Sequence, residues 1–126
     1  MAAWQWLRED VVLALHDEQL AEHGGMAGIR DAGLLKSALA RPLNLAGYGE
    51  PDAASLAAAY AFGIARNHPF ADGNKRTAAV AALLFLGLNG LAVRISEAEL
   101  VVMVLALAAG ELGEDEVAAW FRQRLA

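Results

Sequence analysis

The sequence contains no cysteine, so neither a disulfide nor a thiolate-bound metal can hold it together, and a reducing compartment such as the cytoplasm suits it. Basic residues are scarce, ten against fifteen acidic ones, for a net charge of −5. No broad basic face is available to drive nucleic-acid or anionic-membrane binding, although local clusters of cations can still occur. No secretory leader is predicted, because Met-Ala-Ala-Trp-Gln-Trp-Leu-Arg-Glu-Asp lacks a basic segment followed by an apolar one. The longest uncharged run, between Arg76 and Arg94, approaches membrane-spanning length. Gly87, Asn89 and Gly90 interrupt it, which favours a buried core helix. Repeats, low-complexity tracts and long linkers are also absent.

What is present is mostly apolar. Hydrophobic residues make up 57% of the 126, and the mean hydropathy is +0.35. The length predicts one domain over 1–126 with a sizeable core. The apolar excess implies either tight packing or surface kept for a partner.

Periodicity predicts an all-α chain with short turns. The first helix is expected over about 8–23, with Leu15 and Leu20 deepest in its apolar stripe and Gly24-Gly25 stopping it. Asp31 caps a short helix through about Ala40, ended by Pro42. Segment 42–52, with two prolines and two glycines, reads as the longest irregular stretch. Asp52 caps a helix over about 53–67, on which Leu56, Tyr60 and Ile64 recur every four residues, and His68-Pro69 ends it. A long apolar helix follows over about 74–88, closed by Asn89-Gly90. Residues 91–95 suit a short extended piece, and Ser96 with Glu99 forms a capping box for a helix through about Ala109. The last helix, about 114–125, carries Val117, Trp120 and Phe121 on one face. Helices apolar on several sides must be surrounded, so one central helix within a bundle is expected.

The chemistry concentrates in His68-Pro69-Phe70-Ala71-Asp72-Gly73-Asn74-Lys75-Arg76-Thr77. Gly73-Asn74 leads into a helix whose first N–H groups are unpaired and whose dipole is positive, a natural phosphate site. Lys75 and Arg76 add two cations in that first turn, at a cost of about 0.3–1 kcal/mol each unless an anion is expected. His68 carries an imidazole, which can accept a proton. Asp72 offers a hard oxygen for Mg²⁺ or can orient another side chain, and Phe70 anchors the loop. These are parts for phosphoryl or nucleotidyl transfer, but the residues alone leave transfer, hydrolysis and simple anion binding open.

The run His-Pro-Phe-Ala-Asp-Gly-Asn-Lys-Arg resembles the motif of the Fic/Doc superfamily, and more closely its Doc branch, the death-on-curing toxins. Fic enzymes have His-x-Phe-x-Asp/Glu-Gly-Asn-Gly-Arg and a second Arg three positions on. This chain keeps His68, Phe70, Asp72, Gly73, Asn74 and Arg76, and departs at Lys75 and Ala79 as the Doc branch does. The likeness extends through His16-Asp17-Glu18-Gln19-Leu20, Gly24-Gly25, Gly28-Ile29-Arg30-Asp31, residues 34–42 and 57–65, and Phe85-Leu86 to Asn89-Gly90.

The resemblance implies a compact all-α Fic/Doc bundle with the motif loop between two central helices. It implies a protein kinase toxin that moves the γ-phosphate of ATP to a threonine of elongation factor Tu and arrests translation. A Phd-like antitoxin would restrain it. His68 would be the general base, Asp72 would hold Mg²⁺ and position phosphate, and Gly73, Asn74 and Lys75 would shape the anion site. Arg76 would hold a phosphate or stabilise charge at transfer, and 42–52 would be the flap that aligns the target. Two alternatives remain at this point: an AMP transferase of the Fic kind, and an inactive binding module. The inhibitory Ser/Thr-x-x-x-Glu-Gly/Asn run of many Fic relatives does not occur, which fits restraint by a separate chain.

Several other residues invite a second reading. His16 and His23 share a helix face, but no third metal ligand is evident. Arg30-Asp31 suits a cap and turn, Arg66-Asn67 either nucleotide contact or capping, and Trp4 and Trp6 either core or an apolar groove.

Overall fold

The computed structural model describes residues 3–126, and those residues form six helices: α1 (Glu9–His23), α2 (Ala32–Tyr48), α3 (Ala53–Asn67), α4 (Asn74–Leu88), α5 (Glu97–Ala108) and α6 (Glu114–Arg124). The expected all-α bundle is therefore what forms. No helix among them is long and apolar enough to cross a membrane.

Helix α3 is the central element, packed against α2, α4, α5 and α6. Its sequence explains this position. Ala53, Ala54, Ala57, Ala58, Ala59, Ala61 and Ala65 let neighbours approach from every side, while Leu56, Tyr60 and Ile64 fill the space between them, all buried. Asp52 caps it by accepting from the Ser55 N–H at 2.9 Å. The same carboxylate takes Arg122 of α6 at 2.6 Å, and this guanidinium holds the Asp52 carboxyl far below its usual range.

Helix α2 corrects the expectation of a stop before Pro42. It continues through that proline to Tyr48, so most of segment 42–52 is helix rather than loop. Pro42 falls on the buried stripe of Leu35 and Ala38 that faces α3, and that burial outweighs the lost N–H bond. The Arg41 side chain fastens the helix to Glu114 of α6. At the crossing, a β-carbon on Gly63 would lie 3.0 Å from Ala38 Cα and 3.1 Å from its carbonyl oxygen, so only glycine fits there.

Helix α1 departs from its predicted stripe. Val12, His16 and Gln19 are buried, whereas Leu15 and Leu20 are half-buried. The inner face of α1 turns polar at its C-terminal half because it covers the 68–73 loop as well as α4. At α5, Ser96 Oγ does accept from the Glu99 N–H, but the Glu99 carboxylate turns to Arg124 instead of closing a capping box. The reciprocal bond occurs at α6, where Glu116 accepts from the Gly113 N–H. The extended piece at 91–95 pairs at a single point, Val93 with Leu125.

Trp4 and Trp6 pack on the core through Phe85, each with ring centroids 6.0 Å away. Their outer edges, with Ala46 and residues 49–51, border a separate cavity. Leu7 is tied to α3 by its N–H, which donates to the buried Tyr60 hydroxyl at 3.0 Å.

Gly63→Ala tests the α2–α3 crossing. The intrinsic helix preference of alanine recovers about 1 kcal/mol, but the clash is with backbone and cannot relax by a rotamer change. A net loss of about 1–2 kcal/mol is expected, measurable by urea denaturation.

Candidate functional site

Helix α3 ends on His68 in the left-handed region, φ 49° and ψ 55°, and among the described residues it is the one non-glycine with positive φ. Such a conformation costs about 1–3 kcal/mol and persists only where surroundings enforce it. Arg30 supplies that enforcement. Its Nε donates to the His68 carbonyl at 2.6 Å, and its Nη2 donates to the Asn67 carbonyl at 2.8 Å. A cation on the last carbonyls of α3 also complements the negative end of the helix dipole.

The strap from Gly24 to Asp31 then runs along the loop. The Pro69 carbonyl accepts from the N–H groups of both Arg30 and Asp31, and the Ala71 N–H donates to the Gly28 carbonyl at 3.0 Å. Ile29 and Phe70 pair as an isolated antiparallel bridge. Phe70 is buried, as an anchor should be, and its ring stacks on His16 with centroids 3.8 Å apart. Asn74, itself buried, closes the loop from the other side. Its Oδ1 accepts from the Phe70 N–H and its Nδ2 donates to the Phe70 carbonyl. That same Nδ2 lies 3.4 Å from His68 Nδ1, while His68 Nε2 has no partner among the described residues.

Asp72 stands at the turn. Its Oδ1 accepts from the Gly73 N–H at 2.8 Å and its Oδ2 from the Met26 N–H at 3.2 Å. These two bonds, Gly73 first, hold its carboxyl below the usual carboxylate range. Gly73, at φ 76°, opens α4 without any side-chain cap. The first amide used inside that turn is Thr77, which donates to the Gly73 carbonyl. Lys75 and Arg76 project into solvent, and neither has an ion-pair partner among the described residues.

The six residues singled out by sequence, His68, Asp72, Gly73, Asn74, Lys75 and Arg76, line one open cavity of about 340 Å³. His68 and Lys75 also line a second hollow of about 570 Å³, whose far wall is Val102, Leu105, Ala106 and Ala109 near the end of α5. The cavity thus combines a titratable ring, a carboxylate, an uncapped helix N-terminus and two free cations. Such a set can receive a phosphate chain and take a proton from a hydroxyl beside it. Ala79 is turned into the core and does not line the cavity.

Other expectations fall to structural roles. Asp31 caps α2 by accepting from the Leu34 N–H. Asn67 donates to the Leu34 carbonyl, and Arg66 lies over the Phe62 ring, so neither lines the cavity. His16 and His23 do not pair for a metal, since His16 Nε2 is bonded to the Asp72 carbonyl, and no cluster of three potential ligands occurs among the described residues. Segment 42–52 contributes nothing to the cavity wall.

Sequence reasoning missed the supporting residues: His16, Gly25, Met26 and the clamp made by Arg30. The available signal was the glycine spacing at 24, 25 and 28. Those glycines all adopt positive φ, and the strap they shape lies against the loop.

Comparison with known proteins shows the family. The family model described as the Fic/DOC family matches residues 6–86. The protein kinase Doc of Escherichia phage P1 is 36% identical over 113 residues, covering 89% of each chain. The toxin Doc of Mycolicibacterium smegmatis is 45% identical over 86 residues, covering 66% of this chain and 62% of that one.

Gly25 provides a probe of the strap. A β-carbon there would fall 2.9 Å from Asp72 Oδ2 and from Leu20 Cδ2, at a φ of +127°. Gly25→Ala should push the carboxylate off the Met26 N–H, and carboxyl NMR should show the Asp72 pKa rising toward its ordinary value of about 3.9. With the folded pKa lowered, the contribution to stability is present above the unfolded value and lost as pH falls through the folded one. The variant should therefore melt earlier at neutral pH, with a weaker acid dependence.

Proposed function

Because the chain belongs to the Fic/DOC family, and within it to the Doc branch, we propose that it is a toxin of the Doc type acting as an ATP-dependent protein kinase. The acceptor is a serine or threonine hydroxyl, and by analogy with the Doc branch the target is a threonine of elongation factor Tu in the cytoplasm, so that translation stops. A Phd-like antitoxin holds it in check.

The observation that carries this reading is the unbalanced charge of the α4 N-terminus. Gly73 leaves the helix uncapped, Lys75 and Arg76 are unpaired, and His68 lines the same cavity. In the step proposed, the His68 imidazole takes the proton as the acceptor oxygen attacks the γ-phosphorus. The new O–P bond forms, the bond between that phosphorus and the β–γ bridging oxygen breaks, and ADP leaves. Arg76, Lys75 and the first amides of α4 hold the phosphate oxygens where charge gathers. Asn74 locks the loop that carries His68, so the base is held in place before the substrates arrive.

Asp72 suits Mg²⁺. It is exposed at the cavity mouth, its lowered pKa keeps it ionised at neutral pH, and each oxygen accepts a single backbone bond in this fold. One carboxylate with substrate phosphates and waters is an ordinary Mg²⁺ environment, in which the ion would neutralise phosphate charge.

Lys75 and Ala79 favour phosphoryl transfer over transfer of AMP. A bulky cation takes the space that the glycine of Fic enzymes leaves for a second phosphate, and the second arginine of that motif is replaced by a buried methyl.

Label from γ-³²P ATP should appear on a protein band of a cell extract, and label from α-³²P ATP should not. The opposite pattern would establish AMP transfer. His68→Ala should lower transfer by about 100-fold or more at an unchanged melting temperature. A folded variant that stays fully toxic and transfers label at the parent rate would overturn the catalytic role of His68.

A further inference from the structure

Among the buried polar side chains that the proposed reaction does not use is His16, which is 3% exposed, lies on α1 and meets the motif at Phe70, Asp72 and Gly73. Its ring stacks on Phe70, nearly parallel at 8°. Its Nε2 is 2.8 Å from the Asp72 carbonyl oxygen, which can only accept, so Nε2 carries the proton and donates. The space where a β-carbon of Gly73 would sit is 3.6 Å from the same edge of the ring.

The Asp72–Gly73 peptide is the one that sets the cradle. In a trans peptide plane the carbonyl and the N–H point in opposite directions. With the carbonyl held inward on buried His16, the Gly73 N–H faces outward, where Asp72 Oδ1 receives it. Gly73 itself cannot fix this choice, because glycine accepts φ of either sign and permits the plane to turn over. A turned plane would put a carbonyl oxygen, an acceptor, on the cavity side where the proposed phosphate would sit.

We infer that His16 is a positioning residue: its Nε2–H holds the Asp72 carbonyl inward and so keeps that oxygen out of the anion cavity. The inference rests on the phosphotransfer reading for its effect on rate, but its structural content does not.

Two variants separate the donor from the ring. His16→Phe keeps the stacking on Phe70 and the apolar burial but removes the N–H. His16→Gln restores a donor near the Nε2 position without the ring. In ¹H–¹⁵N spectra the Gly73 amide should be a single sharp peak in the parent and in H16Q, and doubled or broadened in H16F. Transfer from γ-³²P ATP should fall about 10- to 100-fold in H16F and return to within about threefold of the parent in H16Q. An H16F protein whose Gly73 amide and transfer rate both match the parent overturns the inference. If H16F does not fold, H16Q decides alone: a folded H16Q with a tenfold loss overturns it, and parental transfer supports it. If the parent transfers no label while H16F still doubles the Gly73 amide, the phosphotransfer reading fails and the positioning role stands.

Discussion

Backbone hydrogen bonds between residues 28–31 and residues 69–71 hold the motif loop from outside, while Phe70 and His16 hold it from within. Neither stretch has regular secondary structure of its own to satisfy its amides and carbonyls, so each supplies partners for the other. Arg30 completes the arrangement by bonding the carbonyl of the residue that carries the strain, His68. A left-handed residue at a helix end is usually glycine, because a β-carbon there is costly. The fold sustains that cost at His68 through the Arg30 clamp on its carbonyl. Removing the strap would leave the loop with unsatisfied backbone groups and the ring without a fixed direction.

The bundle beneath serves the same end. Helices α3 and α4 flank the loop, and α3 is surrounded closely enough that its C-terminal end has little freedom to move. Alanine-rich packing brings backbones near one another, which suits a scaffold meant to fix a short loop rather than to bend. The salt link Arg122–Asp52 ties α6 to the start of α3, at the end away from the loop, and Arg41–Glu114 ties α6 to α2 beside Phe62. They act on exposed groups and so stabilise modestly. The weight of the fold rests on buried apolar contact.

How much of this was legible in the sequence depended on the range of the interactions involved. The bounds of α3 and α4 were readable because local signals set them: Asp52 as a cap, Pro69 as a breaker, Gly73-Asn74 and Asn89-Gly90 as ends. The cavity residues were readable because they are contiguous. Helix α2 was misjudged because Pro42 is a local signal overruled by a distant one, burial of its ring against α3. The inner face of α1 was misjudged for a similar reason: hydrophobic periodicity ranked Leu15 and Leu20 first, but the surface to be covered was a polar loop that accepts a hydrogen bond from His16. Arg30 and His16 lie 38 and 56 residues from their partners, and no spacing rule within a single chain connects such positions.

The electrostatics of the helix ends make α4 stand apart. Helices α1, α5 and α6 open with acids in the first turn: Glu9 and Asp10, Glu97 and Glu99, then Glu114, Asp115 and Glu116. Helices α2 and α3 open on the carboxylates of Asp31 and Asp52, each accepting a backbone N–H. In a chain with a net charge of −5, negative side chains are plentiful, and five of the six helix starts receive one. The α4 start receives Lys75 and Arg76 instead, beside a glycine that offers no side-chain oxygen. The nearest carboxylate, Asp72, is drawn to the Gly73 and Met26 amides and leaves both cations unpaired. A protein that places a carboxylate at each of its other helix starts leaves this one uncompensated, and that imbalance is what the proposed anion site rests on.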